Sequence, residues 1–338
     1  MKKICICGGG SLGHVIAGWL SSKNKACVNL LTGHPENWNN NLVIKTIDNQ
    51  VLHGHIDDIS SNPSNVVSNS DVILLCLPGF LIEKTLVEIK PYIKENACVG
   101  SVFSSTGFFF EAIKHLSDKQ RLWGFQRVPF IARVDSYGHS VNLLGYKNSL
   151  FLGLKNFESA NEEENFREWI STCFEKPTSL LSNYLEASLT NSNPLLHTSR
   201  LYSLFGGKNE GKLYSKNILF YEEWDEASAQ LLIDMDQEFF QLLGKLPVTK
   251  GFLPTILDYY ESHDAQSLAA KLSSIKGFKG ITSPMFQSGD FWVPDYSSRY
   301  FTEDFPFGLK YIWQLAHDND VEVPNIDLVY NWGLKKIS

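Results

Sequence analysis

The stretch "ICICGGGSLGHVIAGWL", residues 4–20, decides the fold. A short apolar run leads into Gly8-x-Gly10-x-x-Gly13, and apolar residues at helical spacing follow. In such a loop the first glycine permits a tight turn, the second lets a pyrophosphate approach the backbone, and the third allows close helix–strand packing. The helix N-terminus then offers free N–H groups to the phosphates. The context predicts a dinucleotide site formed by Gly8, Gly10, Ser11, Leu12 and Gly13; the alternative is a tight turn without a ligand.

The rest of the first half alternates between strand and helix patterns. Continuous apolar runs bounded by polar residues or Pro are typical of strands buried on both faces of a parallel sheet. Two runs have this character, "SDVILLCLP" (70–78) and "NACVGSVF" (96–103), and "KACVNLLT" (25–32) is predicted as another strand. "SVNLLGY" (140–146) and "SLFLGL" (149–154) are expected to continue the same sheet. This alternation predicts an α/β fold, a doubly wound Rossmann domain.

After about residue 178 the pattern changes. Apolar residues recur there every three or four positions, which predicts a mostly α-helical C-terminal domain. We therefore expect a dinucleotide-binding domain at residues 1–178 and a helical substrate domain at residues 179–338.

Composition limits the functional classes. The chain has 338 residues, 43% of them hydrophobic, and a formal net charge of −7, which argues against a general nucleic-acid binder. No apolar stretch is long enough for a membrane helix, and the start lacks the apolar core of a signal peptide, so a cytoplasmic location is expected. The six cysteines contain no CxxC pair. "HGHIDD" (53–58) imitates a metal site, but it lacks a third cluster of ligands, so no metal is expected.

The end of the second strand bears on the choice of cofactor. NAD-specific domains usually carry an Asp or Glu there for the ribose 2′-hydroxyl, whereas this chain has Thr32-Gly33-His34. Thr32 and His34 are the expected cofactor contacts at this position. Without an acid to repel a 2′-phosphate, the sequence favours NADP slightly over NAD.

Three further stretches carry a family resemblance. They are "GFQRVPFIAR" (124–133), "NSNPLLHTSR" (191–200) and "SSRYFTEDFPFGL" (297–309). With the glycine loop, and in this order, they resemble the NAD/NADP octopine/nopaline dehydrogenase family, the opine dehydrogenases. The resemblance implies a Rossmann domain, a helical domain like that of 6-phosphogluconate dehydrogenase, and an active site in the cleft between them. It also implies reduction of the imine formed from a 2-oxo acid and an amino acid.

The same resemblance implies roles for particular residues. His197 is similar to the catalytic histidine, Asp304 to its carboxylate partner, and Arg299 to the arginine that binds the substrate carboxylate. Gln126 and Asn193 are the further candidates for substrate contact. The chemistry asks for such groups independently: a histidine transfers protons near neutral pH, a carboxylate fixes its tautomer, and a guanidinium binds a carboxylate through two parallel bonds.

Structural alternatives exist for each residue. His197 follows the Asn193-Pro194 step, which suits the first turn of a helix, and it could instead bind a backbone carbonyl. Thr302 or Asp304 could cap the next helix, and Arg299 could form a surface ion pair. Asn193 stands before a proline, which is also ordinary turn chemistry.

Two other functions stay open at this point. One is reduction of a free 2-oxo acid, as in ketopantoate reductase-like proteins, and the other is dinucleotide binding without turnover. The expected partners are small molecules, a 2-oxo acid and an amino acid, with no nucleic acid and no membrane, and with a homodimer as a possible assembly.

Overall fold

The structure is a computed structural model, and it describes residues 1–337. The chain forms two compact units, Met1–Thr190 and a second unit that begins at Asn191. Within the described part of the chain, no helix combines the length and the apolar character needed to cross a membrane.

The first unit contains twelve strands and six α-helices. The strands are β1 (Lys3–Cys7), β2 (Cys27–Leu31), β3 (Asn41–Thr46), β4 (Val51–His55), β5 (Asp58–Ser60), β6 (Val72–Leu75), β7 (Cys98–Ser101), β8 (Arg121–Phe125), β9 (Phe130–Ser136), β10 (Ser140–Tyr146), β11 (Leu150–Lys155) and β12 (Thr178–Leu180). The helices are α1 (Ser11–Ser22), α2 (Pro63–Val66), α3 (Gly79–Ile89), α4 (Phe108–His115), α5 (Ala160–Phe174) and α6 (Tyr184–Ser188).

Eight of the strands form one sheet in the order β12-β11-β8-β7-β6-β1-β2-β5. Six neighbouring strands of this sheet, β8, β7, β6, β1, β2 and β5, are parallel to one another. Strand β11 runs antiparallel to β8. Both faces of the sheet are covered: Ile4 and Ile6 of β1 belong to one apolar core, and Cys5 and Cys7 belong to another. The predicted doubly wound α/β fold is confirmed. Its strand order reverses at β1, where open α/β sheets bind their ligands.

The other four strands form a separate sheet in the order β4-β3-β10-β9. The expectation that "SVNLLGY" continues the main sheet is wrong, because this stretch is β10 and pairs parallel with β3 and antiparallel with β9. Val141 and Leu143 point inward and are buried, and the sheet packs against α1. An alternating pattern specifies a strand with one buried face, but it does not specify the neighbouring strand.

The second unit is mostly helical, as expected. Its elements are α7 (Asn193–Phe205), α8 (Glu226–Leu243), α9 (Ile256–Tyr259), α10 (Ala265–Ser274), the hairpin strands β13 (Met285–Ser288) and β14 (Phe291–Pro294), α11 (Arg299–Thr302), a π-helical turn at Phe305–Leu309, α12 (Lys310–Asp318) and α13 (Pro324–Ile337). Helix α7 packs against α8, α13 and the π-helical turn, which places it at the centre of this unit.

The boundary between the two units lies after Thr190, twelve residues later than the boundary at 178/179 that the sequence pattern predicts. Strand β12 pairs with β11 of the main sheet, and α6 packs on β11 and β8. Residues 178–190 are therefore built into the first unit. The change to helical periodicity begins in α6, before the chain leaves that unit.

Candidate active site

The glycine loop connects β1 to α1. Gly8 has a φ of +121°, a value that L side chains rarely adopt, and its N–H donates to Leu31 O of the neighbouring strand at 2.9 Å. A Cβ on Gly13 would collide with the Gly8 carbonyl oxygen, so helix and strand approach as closely as the sequence pattern predicts. Gly10 is the N-cap of α1, and a Cβ added there would meet nothing within 4 Å. The loop thus leaves open space in front of a helix N-terminus, which fits a pyrophosphate.

A cavity of about 290 Å³ lies beside this loop, at the carboxyl ends of β1 and β2. Gly8, Thr32 and His34 line one side of it, and Lys84 of α3 lines another. The exposed His34 ring binds the Glu36 carboxylate, with 3.2 Å between Nδ1 and Oε1. Ser11 is half-buried, and its Oγ accepts the Val134 N–H at 3.2 Å, so its own O–H remains available to a ligand.

His197 lies on α7 of the second unit. Helix α7 begins at Asn193 with Ser192 as its N-cap, and Pro194 stands in the first turn, where its missing N–H costs nothing. His197 is the fifth residue of the helix and is buried. The Asn-Pro step therefore marks a helix start, and His197 opens the second turn.

Asp304 contacts this histidine directly. The distance between His197 Nδ1 and Asp304 Oδ2 is 2.8 Å, although the two residues are 107 positions apart in sequence. Asp304 occupies the N-cap of the π-helical turn, yet its side chain makes no capping bond, and the Thr302 hydroxyl donates to Ser298 O instead. The carboxylate is thus committed to the imidazole and not to the helix end.

A tyrosine holds the other ring nitrogen. His197 Nε2 lies 2.9 Å from Tyr221 Oη. Because an ionised Asp304 can only accept, Nδ1 carries the proton in neutral His197, and the Tyr221 hydroxyl donates to Nε2. Burial raises the pKa of the Tyr221 phenol, and the neighbouring tyrosines and Asp304 raise it further. The phenol therefore keeps its proton at neutral pH. Sequence analysis did not predict Tyr221, since "FYEEW" reads as an ordinary aromatic segment.

A buried arginine fixes the segment that carries Tyr221. The Arg200 guanidinium, one helical turn after His197, donates to Phe220 O at 3.1 Å, Glu223 O at 2.6 Å and Ser228 Oγ at 2.9 Å. Burial lowers the pKa of Arg200 to about 10, so it remains charged at neutral pH. The Tyr221 ring stacks on Phe278, with 4.0 Å between ring centroids.

Arg299 and Asn193 are exposed in the second unit. Arg299 is the first residue of α11, five positions before Asp304, and within residues 1–337 its guanidinium has no carboxylate partner. A surface ion pair therefore does not account for it. The Asn193 N–H donates to Asn191 Oδ1 at 3.3 Å, in the turn that precedes α7.

Gln126 lies in the first unit, directly after β8. Its Nε2 donates to Thr190 Oγ1 at 3.0 Å, and the adjacent Arg127 donates to Thr190 O at 3.1 Å. Thr190 Oγ1 donates in turn to Glu186 O. Gln126 thus fixes the last residue of the first unit, and its amide oxygen remains available as an acceptor.

Two other clusters contain potential metal ligands. His53 and His55 lie on β4, and the His55 ring binds Asn41 Oδ1 of β3 at 2.9 Å. Among the described residues, one group of three could converge on an ion: Glu83, Glu111 and His115. The Lys114 ammonium already lies 3.1 Å from Glu83 and 3.6 Å from Glu111, so a lysine compensates these carboxylates.

Comparisons with known proteins identify both domains. Residues 180–336 match the family described as NAD/NADP octopine/nopaline dehydrogenase, alpha-helical domain. Residues 4–122 match the family described as ketopantoate reductase PanE/ApbA, so that family model covers part of the first unit only.

Similar proteins extend over the whole chain. A tauropine dehydrogenase of Arabella iricolor is 28% identical, with 99% of this chain and 91% of the relative covered. An octopine dehydrogenase of Mizuhopecten yessoensis is 26% identical, with 99% and 90% covered. A solved octopine dehydrogenase in complex with NADH and agmatine superposes with a TM-score of 0.83 at 25% identity, covering 100% of this chain and 90% of that one.

The fold, the glycine loop and these matches define an NAD(P)-dependent oxidoreductase with two domains. More narrowly, the chain is an oxidoreductase of the opine dehydrogenase type, which acts on CH–NH bonds. The family resemblance inferred from the sequence is confirmed, and ketopantoate reductase is a distant relative.

Proposed function

We propose that this enzyme reduces the imine formed between a 2-oxo acid and the amino group of an amino acid, with His197 and Asp304 as its proton-transfer dyad. The bond of 2.8 Å between His197 Nδ1 and Asp304 Oδ2 carries the proposal. It supports an imidazole with a defined tautomer and a carboxylate that stabilises the imidazolium form, the combination required for proton transfer to a reacting nitrogen or oxygen.

Bound NAD(P)H supplies the hydride in this reaction, and the open helix N-terminus at Gly10 fits its pyrophosphate. His197 manages the proton. With Nδ1–H committed to Asp304, Nε2 is the atom that takes up or delivers it. The Tyr221 hydroxyl is the hydrogen-bond partner of Nε2. A proton that moves between Nε2 and the substrate therefore passes either through this hydroxyl or beside it.

Arg299 is the proposed carboxylate-binding residue. Its guanidinium is exposed and carries no carboxylate partner within the described chain, and it lies in the segment that also provides Asp304. A planar guanidinium binds a carboxylate through two parallel hydrogen bonds. Gln126 and Asn193 are proposed substrate contacts through their side-chain amides.

For the cofactor, we propose that NADPH binds at least as tightly as NADH. Lys84 lines the cavity beside the glycine loop and carries positive charge, and Glu88, whose carboxylate lies 3.8 Å from the Lys84 ammonium, lines the cavity too. At the end of β2, Thr32-Gly33-His34 brings no carboxylate into the cavity, since Glu36 is not among its lining residues. Titration of the protein with each cofactor by intrinsic fluorescence tests this, and a clear preference for NADH would contradict it.

The reaction itself is tested by following NADH and NADPH oxidation with pyruvate, with and without a panel of amino acids. The proposal predicts turnover that needs both substrates. Turnover with the oxo acid alone would instead assign the enzyme to hydroxy acid formation. Tight cofactor binding without turnover on any combination would point to a binding protein.

A further inference from the structure

A tyrosine from the four-stranded sheet stands beside the glycine loop. Tyr137 lies in the turn between β9 and β10, and it lines the same cavity as Gly8, Gly9 and Thr32. A Cβ built on Gly9 would lie 2.6 Å from Tyr137 Oη and 2.8 Å from Thr32 Oγ1. Two hydroxyl groups therefore face the loop backbone at the point that a dinucleotide approaches.

The turn that carries Tyr137 has a defined conformation. Gly138 has a φ of +72°, and a Cβ there would collide with the Asn37 carbonyl oxygen, so the turn requires glycine. Gly138 O accepts the Asn39 N–H at 3.0 Å. The turn is thus docked on the segment that follows β2, which also forms one wall of the cavity.

A single buried histidine ties this turn to the glycine loop. His14 is fully buried in α1; its Nδ1 lies 3.0 Å from Gly10 O, and its Nε2 accepts the Gly138 N–H at 2.8 Å. Since a backbone N–H can only donate, Nδ1 carries the proton and donates to Gly10. Burial lowers the pKa of His14, which favours this neutral form. The His14 ring also packs edge-on against Tyr137, with 5.1 Å between centroids.

We propose that Tyr137 is a cofactor-binding residue, whose hydroxyl binds the ribose–phosphate portion of the adenosine half of NAD(P)H, and that His14 is its positioning residue. The cavity lies at the carboxyl ends of β1 and β2, where dinucleotide domains usually recognise this ribose through an acidic side chain. The hydroxyls of Tyr137 and Thr32 take the place of that acid. The four-stranded sheet is then part of the cofactor site.

The hydroxyl is tested with Tyr137→Phe, which keeps the ring and removes one donor. Fluorescence titration of the full chain is expected to show NADH, NADPH and ADP-ribose binding about three- to tenfold more weakly, the effect of one lost hydrogen bond. Tyr146→Phe is the matched control, because Tyr146 lies on the same sheet with similar exposure, 39% against 42% for Tyr137, and is not among the residues that line this cavity. Affinities within twofold of wild type would overturn the proposal, as would a loss for NADH that ADP-ribose does not share.

The role of His14 is tested by a double-mutant cycle with His14→Gln. The single variant is expected to weaken dinucleotide binding and to lower thermal stability. In the Tyr137→Phe background the same change should still lower stability but cost little further affinity, because the contact that His14 positions is already gone. Affinity losses that multiply would show that His14 acts on the fold and not through Tyr137. Neither test depends on the substrate or on the His197–Asp304 dyad.

Discussion

The glycine loop and the His197 dyad are built in opposite ways. The loop takes its functional residues from six consecutive positions, Gly8 to Gly13, and its conformation is set by glycine at each tight approach. The dyad joins residues 107 positions apart, and a buried arginine and an aromatic stack hold the Tyr221 segment beside it. The geometry of a contiguous motif is determined by its own few residues. The geometry of a site assembled from distant elements depends on the packing of a whole unit.

This contrast predicts different responses to mutation. In the loop, a single side chain can block the ligand without disturbing the fold, because the backbone leaves space there. In the second unit, removal of one polar group should alter proton transfer or substrate binding and leave dinucleotide affinity unchanged.

The largest effect is expected for Gly10→Asp. Gly10 has a φ of −82°, and an added Cβ meets nothing within 4 Å, so the variant should fold normally. Its carboxylate would crowd and repel the pyrophosphate, and dinucleotide binding should fall below detection in a fluorescence titration. Gly277→Asp, at a glycine of the second unit that also has open space, is the control. Unchanged affinity in Gly10→Asp would refute the assignment of the loop.

Arg299→Ala should act on substrate binding. A carboxylate bound equally in the ground and transition states contributes to KM and not to kcat. We expect KM for the 2-oxo acid to rise about 100-fold, the effect of about two charge-assisted hydrogen bonds, with kcat little changed. Arg299→Lys keeps the positive charge but loses the paired donors of the guanidinium, so its KM should lie between those of the wild type and Arg299→Ala. A loss confined to kcat would place Arg299 outside the carboxylate site.

Tyr221→Phe tests the partner of His197 Nε2. The ring can keep its stack on Phe278 while the hydroxyl is lost, so the fold should persist and turnover should fall about tenfold. Tyr300→Phe is the matched control, since its ring also packs against His197, with 4.8 Å between centroids. Equal turnover in the two variants would show that the Tyr221 hydroxyl does not take part in proton transfer.

The prediction with the smallest effect on activity concerns stability. Burial raises the pKa of Asp236 on α8 to about 6, from an ordinary value of 3.8. The folded protein therefore holds this proton more tightly than the unfolded chain, and stability should fall as pH rises from about 4 to about 6. Asp236→Asn keeps an acceptor for the Ile256 N–H and should gain up to about 3 kcal/mol at pH 7.5 but little at pH 4. Thermal unfolding at the two pH values measures this; a gain that is the same at both would contradict the assignment.

The sequence predicts the two regions unequally. The glycine loop, the buried parallel strands and the helical second half follow from local patterns, because glycine spacing and apolar periodicity are properties of adjacent residues. The four-stranded sheet was not predicted: the pattern of β10 indicates a strand but not that β3 and β9 are its neighbours. The contact between Tyr137 and the glycine loop depends on that strand pairing, so the sequence does not predict this contact either.

For the second unit, periodicity predicts helices but not their mutual packing. His197 and Asp304 were singled out through family resemblance, and no local spacing connects them. The sequence around Tyr221 does not indicate its role. A tyrosine that only packs in the core and a tyrosine whose hydroxyl binds a histidine have the same sequence pattern. Arg200 lies one helical turn after Leu196 and one turn before Leu204, so its charge falls on the apolar face of the helix. That position is the kind of signal that could point to the segment that Arg200 anchors.

The central claim, that His197 and Asp304 act as one unit, is tested most directly by a double-mutant cycle on turnover. His197→Ala should lower kcat by about 10²–10⁴-fold, the usual contribution of general acid–base catalysis, with dinucleotide affinity unchanged. Asp304→Asn should lower it as well, because the charge that orients and stabilises the imidazolium is removed. The double variant should lose little more than His197→Ala alone, since the effects of residues that act as one catalytic unit are not additive. Two losses that simply multiply would contradict it.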